Sequence, residues 1–434
     1  MPLIRQHLGG HCELFSIAVF LIFLQACLVS SALAQRPPST RAIRGVSVVD
    51  VISGRVLPGQ TVLVSGNRIA KVGRSIPIPA KTRVIDGTGK FVVPGFWDMH
   101  VHTVHQSYLD LFIANGVTGI RDMGGNAPDA NTGCESISPR ILMSWRRQIR
   151  DRHRMGPRML ISGPVLSNTG WPTSIKVSTA DEAVKAVRTL KRLGVDFVKV
   201  YENIPIEAYR ALLREAKMNG LTVAGHIPTN TVSLLEASNA GQRSIEHIRD
   251  PLLMCFTHDS DPLFGFFKED HWNSTDVQWG LEQFKQCPDV IKAFRTNQTW
   301  LVPTLSVERS KVAVEDPLFV ADPRRDSLPS SVRAGFNVYV AKKNAQTAAD
   351  RRSDHLWWQN QQLLVARMNS EGIGILSGTD SACEGGLPGF SLHDGLELLV
   401  ASGLKPIEAL RTATINPAQY LRRQNDLGTV QAGK

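Results

Sequence analysis

Six side chains, widely separated in a 434-residue chain, have the types that hold divalent cations: His100, His102, Lys199, His226, His247 and Asp380. The first two fall in Val93-Pro94-Gly95-Phe96-Trp97-Asp98-Met99-His100-Val101-His102-Thr103, which reads as a β-strand entered through a Pro-Gly turn. Residues two apart in a strand point the same way, so His100 and His102 present two imidazoles to one side. Such a pair is half of a site for an ion like zinc, which takes neutral imidazole nitrogen at about 2.0–2.1 Å. Taken alone, His-x-His fits two half-buried strand histidines equally well.

Whether the six meet depends on the elements that carry them. Residues 46–51, 61–64, 69–72 and 84–85 are short β-branched runs broken by turn residues, the pattern of a small antiparallel β unit. After His102 the rhythm changes to apolar strands alternating with helical patterns, the mark of a parallel α/β domain. Helices are expected over 107–115, 181–193, 206–219 and 231–240, each closed by a glycine at 116, 194, 220 or 241. Each leads into a strand, at 117–123, 197–201, 221–226 and 243–247. With further strands at 159–162, 299–305 and 374–379, the count is eight, which fits a (β/α)8 TIM-like barrel. Residues 251–297 interrupt the rhythm and read as a lid or side helices.

Active sites of such barrels lie where strands end and loops begin. His100 and His102 stand on the first strand, Lys199 on the fourth, His226 on the fifth, His247 on the sixth and Asp380 on the eighth. Lys199 sits among Phe197, Val198 and Val200, where a long cation needs compensation. Deprotonating a lysine at neutral pH costs roughly 4–5 kcal/mol from its reference pKa of about 10.4. The neutral amine can react with carbon dioxide to give a carbamate whose two oxygens bridge two cations. The competing reading is a barrel-end lysine that snorkels to solvent or pairs with a carboxylate. A lone His226 or His247 would be read as a hydrogen-bonded core residue; the coincidence of all six at matching strand ends favours the metal reading.

At this point the chain resembles the amidohydrolase superfamily, in its imidazolonepropionase-like and Xaa-Pro dipeptidase-like branch. The resemblance rests on the 93–102 strand, Gly116-Val117-Thr118 with Arg121-Asp122, Phe197-Val198-Lys199-Val200-Tyr201, Ala224-Gly225-His226, Ile245-Glu246-His247 and Leu376-Ser377-Gly378-Thr379-Asp380. Leu392-His393-Asp394 and the stretch from Pro406 to Ala418 match as well, so it covers nearly everything after Val46. It implies that His100, His102 and Asp380 bind one metal and His226 and His247 a second. Lys199, as the carbamate, and a hydroxide would bridge two ions, zinc first or else manganese. Asp380 would double as the proton shuttle, and Tyr201 is a candidate substrate contact. The implied reaction is hydrolysis of an amide or peptide C–N bond in a small molecule or dipeptide. Deaminases of the superfamily carry a glutamate shortly after the fifth-strand histidine; here that place reads Ile227-Pro228-Thr229, which argues against deamination. The same ligands would activate water against a lactone, ester or phosphotriester, and a non-catalytic binding protein is the remaining alternative.

The ends of the chain carry different information. Arg5, the apolar run 14–29 and Ala32-Leu33-Ala34 read as an export signal over residues 1–34, giving a periplasmic or secreted protein with no membrane span after cleavage. Leu24-Gln25-Ala26-Cys27 is an imperfect lipoprotein box, so a lipid anchor on Cys27 is the lesser alternative. Residues 35–45 then form a linker, 46–92 the β unit, 93–418 the barrel and 419–434 a return to the β unit. Relatives usually continue past Lys434 into one or two closing strands, so the β unit is expected to show an open sheet edge. Cys134, Cys255, Cys287 and Cys383 would remain after cleavage, either free or paired, with Cys255–Cys287 the favoured pairing. The net charge of +10 has one local cluster, Arg146, Arg147, Arg150, Arg152, Arg154 and Arg158, read as a solvated helix face and loop. No nucleic-acid motif accompanies it, and a homo-oligomer is left open.

Overall fold

The structure, a computed structural model, describes residues 39–124, 137–169, 174–228, 231–247 and 288–434. The export signal, Cys27, Cys134, Cys255, Cys287 and most of the 251–297 insertion lie outside the described residues. Among the described residues no helix is long and apolar enough to cross a membrane.

The chain divides into two compact units. The smaller is built on a five-stranded sheet in the order Arg68–Gly73, Val56–Ser65, Thr40–Val49, Arg83–Asp86, with Phe91–Val92 also paired to Thr40–Val49. The Val56–Ser65 and Arg68–Gly73 strands form an antiparallel hairpin closed at Ser65-Gly66-Asn67. The expectation of a wholly antiparallel unit is corrected, however, because Thr40–Val49 and Arg83–Asp86 pair in parallel, Ile43 opposite Ile85. Alternating apolar residues mark a strand and its two faces but carry no sign for the direction of the partner. Within this unit the Gly433 N–H donates to the Ile69 carbonyl at 2.8 Å.

The larger unit is a β/α barrel. Phe96–Val101, Val117–Asp122 and Arg158–Ile161 form one parallel sheet. Phe197–Val200, Thr222–Gly225, Ser244–Glu246 and Trp300–Val302 form the other, with the two-residue strands Leu166–Ser167 and Ile175–Lys176 at its edge. The extended segment 375–381 joins them, bridging Leu301 through Ile375 and Val101 through Ser381, both in parallel. Opposite, Ile161 and Asp196 are tied by the Asp196 N–H to the Ile161 carbonyl at 2.9 Å. The strands are short and largely buried on both faces, as parallel strands covered by helices must be.

The helices start and stop where local chemistry dictates. Ala180–Leu193 begins in a capping box between Thr179 and Glu182 and ends at Gly194, whose φ of 86° suits a residue without Cβ. The helix expected over 231–240 is shorter, Leu234–Ala240, because Ser233 caps it through a second such box with Glu236. Between the last two barrel strands the chain forms the helical segments Pro317–Val320, Pro323–Ser327, Ser330–Asn344 and Ala348–Ser370.

Candidate metal centre

His100 lies at the inner end of the Phe96–Val101 strand and is fully buried, and His102 is the next residue facing the same way. Their ring centroids are 5.6 Å apart. Asp380 arrives from the eighth segment, held by its N–H to the His100 carbonyl at 2.8 Å. The turn before it is pinned by Asp98, which accepts from Thr379 Oγ1 at 2.7 Å and the Thr379 N–H at 3.1 Å. The carboxylate Oδ1 of Asp380 then stands 3.0 Å from His102 Nε2 and 3.3 Å from His100 Nε2. His247 joins from the sixth strand, with its ring centroid 4.8 Å from that of His100 and 4.6 Å from that of His226. Tyr201 packs its ring 4.1 Å from His226.

Three residues at this end of the barrel, His247, Thr304 and Asp380, hold φ of 64°, 45° and 57° without being glycine. Left-handed backbone at a residue with a side chain is strained and concentrates at functional sites. Here it turns His247 and Asp380 inward at the points where their strands end.

Lys199 is 3% exposed, on the fourth strand between Val198 and Val200. Burial lowers its ammonium to a pKa of about 8, with Arg121 adding to the effect, and the carboxylates of Glu246 and Asp380 oppose it. Burial works against ionising Asp380 too, but His100, His102 and His247 outweigh it and hold the carboxyl well below its usual range.

The fit of a cation to this set can be tested on the lone pairs. The other ring nitrogen of His100, Nδ1, lies 2.9 Å from the Glu246 carboxylate and donates to it, which leaves Nε2 as an acceptor. Among the described residues that nitrogen and Asp380 Oδ1 are buried without a hydrogen-bond partner, although they face each other at 3.3 Å. Two acceptors aimed at one buried space repel unless a positive charge lies between them. One donor atom from each of His100, His247 and Asp380 lies within 4.8 Å of the others, a nitrogen and oxygen set that suits zinc. Cys383 also comes within that distance of His102 and Asp380, but it is disulfide-bonded and offers no thiolate. Its pairing excludes four free thiols, one of the two alternatives left open; the favoured Cys255–Cys287 pair lies outside the described residues.

The six residues singled out by sequence therefore come to one end of the barrel, and His105 stays beside them against Tyr108, 5.6 Å between centroids. His355 pairs with Glu315 at 2.9 Å on the surface. Four residues had no role assigned from sequence: Asp98, Arg121, Glu246 and Glu202, the last 3.6 Å from His226 Nδ1. The signal was present for the first three, since a charge inside an otherwise apolar strand needs a buried partner.

A 90-residue stretch is 39% identical to an adenine deaminase of Rubrobacter xylanophilus, covering 20% of this chain and only 15% of that enzyme. Among solved structures, a protein described as a putative prolidase from Bifidobacterium longum superposes with a TM-score of 0.62 at 23% identity, over 92% of this chain and 87% of that one. A Xaa-Pro dipeptidase with methionine in its active site gives 0.61 at 20% identity, over 91% and 92%. At these identities the likeness establishes the fold, an α/β barrel of amidohydrolase type with an N-terminal β-sandwich-like sheet. The model of the amidohydrolase family matches residues 91–434, most of the chain, and the protein belongs to that family of metal-dependent hydrolases.

Proposed function

We propose that the protein hydrolyses an amide or peptide C–N bond in a small molecule at a centre of two divalent ions. His100, His102 and Asp380 would hold one ion and His226 and His247 the other, with Lys199 as a carbamate between them. The observation that carries this reading is the buried pair His100 Nε2 and Asp380 Oδ1, without a hydrogen-bond partner among the described residues, whose lone pairs a bound cation would satisfy. Zinc is the ion the donor set favours, with manganese as the alternative.

Ions bound there supply Lewis acidity and lower the pKa of water from 15.7 toward about 7. The chain does the rest. Asp380, ionised at neutral pH, accepts a proton at Oδ2 and returns it to the leaving nitrogen, so that the amine departs neutral. Tyr201, whose ring packs against that of His226, would contact the substrate. The left-handed turns at His247 and Asp380 keep these groups in place without reorganisation.

Dipeptides head the list of substrates, because the fold is shared with a protein described as a Xaa-Pro dipeptidase. Lactones, esters and phosphotriesters would meet the same centre, and the short likeness to an adenine deaminase makes adenine a necessary control. The reading is of an exported protein, through the signal over residues 1–34. The test is elemental analysis of the purified protein alongside a panel of Xaa-Pro and Xaa-Arg dipeptides, N-acyl amino acids, lactones, phosphotriesters and adenine. Two ions per chain with C–N hydrolysis are expected; turnover confined to lactones or phosphotriesters would overturn the substrate class, and absence of bound metal the whole reading.

A further inference from the structure

The end of the barrel away from the centre, where helices finish and strands begin, is built in part from three neighbouring helix ends. Helix Pro139–Arg150 runs out into the turn 151–157, Ala180–Leu193 into 194–196, and Ile206–Met218 into 219–221. Polar contacts tie the three together. Arg146 Nη1 is 2.5 Å from Asp196 Oδ2, and its Nη2 donates to the Gly194 carbonyl at 3.5 Å. Lys191 Nζ donates to the Asn219 carbonyl at 2.7 Å.

This band is strongly basic. Residues 146–158 hold six arginines against one carboxylate, Asp151, and Lys191, Arg192 and Lys217 extend the excess across the other two helix ends. The acids nearby are already matched: Asp151 with Arg150 at 2.8 Å, Asp196 with Arg146, and Glu215 with Arg188 at 2.8 Å. Arg147, Arg152, Arg192 and Lys217 are all exposed. Met155 and Met218 stand among them, 68% and 74% exposed. The helix macrodipole accounts for cations in a last turn, such as Lys191 and Lys217. It asks neither for Arg152, beyond the helix end, nor for two methionines held out in water. Cations surrounding exposed apolar side chains suit a surface that lies on anionic lipid, where the charges meet headgroups and the apolar chains enter the acyl boundary. A soluble polyanion would satisfy the cations alone.

We propose that this end of the barrel docks on an anionic phospholipid surface, with Arg147, Arg152, Arg192 and Lys217 on the headgroups and Met155 and Met218 in the interface. The candidate metal centre lies at the opposite end of the same barrel, so a protein held this way keeps its mouth open to solution. The inference uses no feature of the metal site and stands or falls apart from the two-ion reading.

Co-sedimentation of the full-length protein with vesicles tests it, comparing phosphatidylcholine alone with equal parts of phosphatidylcholine and phosphatidylglycerol. Any binding through the apolar run 14–29 is common to both compositions and cancels in the comparison. Affinity should be higher for the anionic vesicles and should fall with added salt, which screens exposed charges beyond about 8 Å at physiological ionic strength. Each cation at such a surface is worth about fivefold in affinity. Arg147→Gln/Arg152→Gln/Arg192→Gln/Lys217→Gln should therefore weaken binding to anionic vesicles by about 10²–10³-fold. Lys71→Gln/Arg74→Gln/Arg83→Gln/Lys90→Gln removes the same charge from the smaller unit and should change it little. Met155→Ser/Met218→Ser should weaken it several-fold with the charge unaltered. Should the first combined variant fail to fold, its four single changes, each expected to lose about fivefold, decide the matter. Equal affinity for the two compositions, or equal losses in the two charge variants, would overturn the inference. Tighter binding to duplex DNA than to the anionic vesicles, with the methionine variant unchanged, would overturn it in favour of a soluble polyanion.

Discussion

Lys199 offers the sharpest quantitative test of the centre. Its amine falls from an ordinary 10.5 to about 8 on burial, a change on the order of 3 kcal/mol in favour of the neutral form. At pH 7.5 the neutral fraction rises from roughly one molecule in a thousand to roughly one in four. The barrel has thereby met most of the cost of presenting a free amine to carbon dioxide. The expected outcome is that metal-stripped protein takes up two zinc ions per chain in bicarbonate buffer and fewer in carbon dioxide-free buffer at the same pH. Carbon-13 bicarbonate should give a carbamate resonance that disappears in Lys199→Ala. The same burial carries a second consequence for the metal-free protein. A base whose folded pKa is depressed costs stability below that pKa, and the cost fades as pH rises from about 8 toward 10.5. Lys199→Met should therefore stabilise the metal-free protein by on the order of 3 kcal/mol at pH 7, and by progressively less above pH 8, measured by denaturant unfolding. Two ions bound with full affinity by Lys199→Ala, or uptake indifferent to bicarbonate, would refute the reasoning.

Other substitutions probe the remaining parts. Gly225 has a φ of 135°, and a Cβ there would lie 2.1 Å from the Val200 carbonyl oxygen. Gly225→Ala should lower stability by about 3 kcal/mol or more and displace His226, read by thermal unfolding and zinc stoichiometry. Asp380→Asn should lower kcat by about 10²–10⁴ and loosen one ion, with kcat/KM falling in parallel if Asp380 moves the proton. Burial disfavours protonation of His102, but Asp380 outweighs it and raises the imidazole above its ordinary 6.5. Protons should then compete with metal from above pH 6.5 downward, and zinc affinity at the His102 half should fall with acid over that range. Affinity constant between pH 8 and pH 6 would contradict this.

Much of the barrel was legible in the chain because its cues are local. The capping box at Thr179 and Glu182, the closing glycine at 194, and the apolar strand 197–200 each depend on neighbours within a few residues. Period-two geometry placed His100 and His102 on one face before any tertiary contact was known, and the rule that barrel strands end at one mouth brought Lys199, His226, His247 and Asp380 to them. The small sheet was read less well, since the parallel partner of Thr40–Val49 is Arg83–Asp86, more than thirty residues away. Cys383 was undecided for the same reason: pairing depends on where chains cross in space.

What the amino-acid order determined on its own was the candidate ligand set and the elements that carry it, because residue type, spacing and strand parity are properties of short segments. Only the folded chain decided that a buried carboxylate, Glu246, backs the His100 imidazole. Its placement is fixed by Arg121 and Ser244 on different strands and by Tyr420 near the end of the chain, 299 residues from Arg121. Charge pairs buried together need have no proximity in sequence, and their energies exist only once water has been excluded around them.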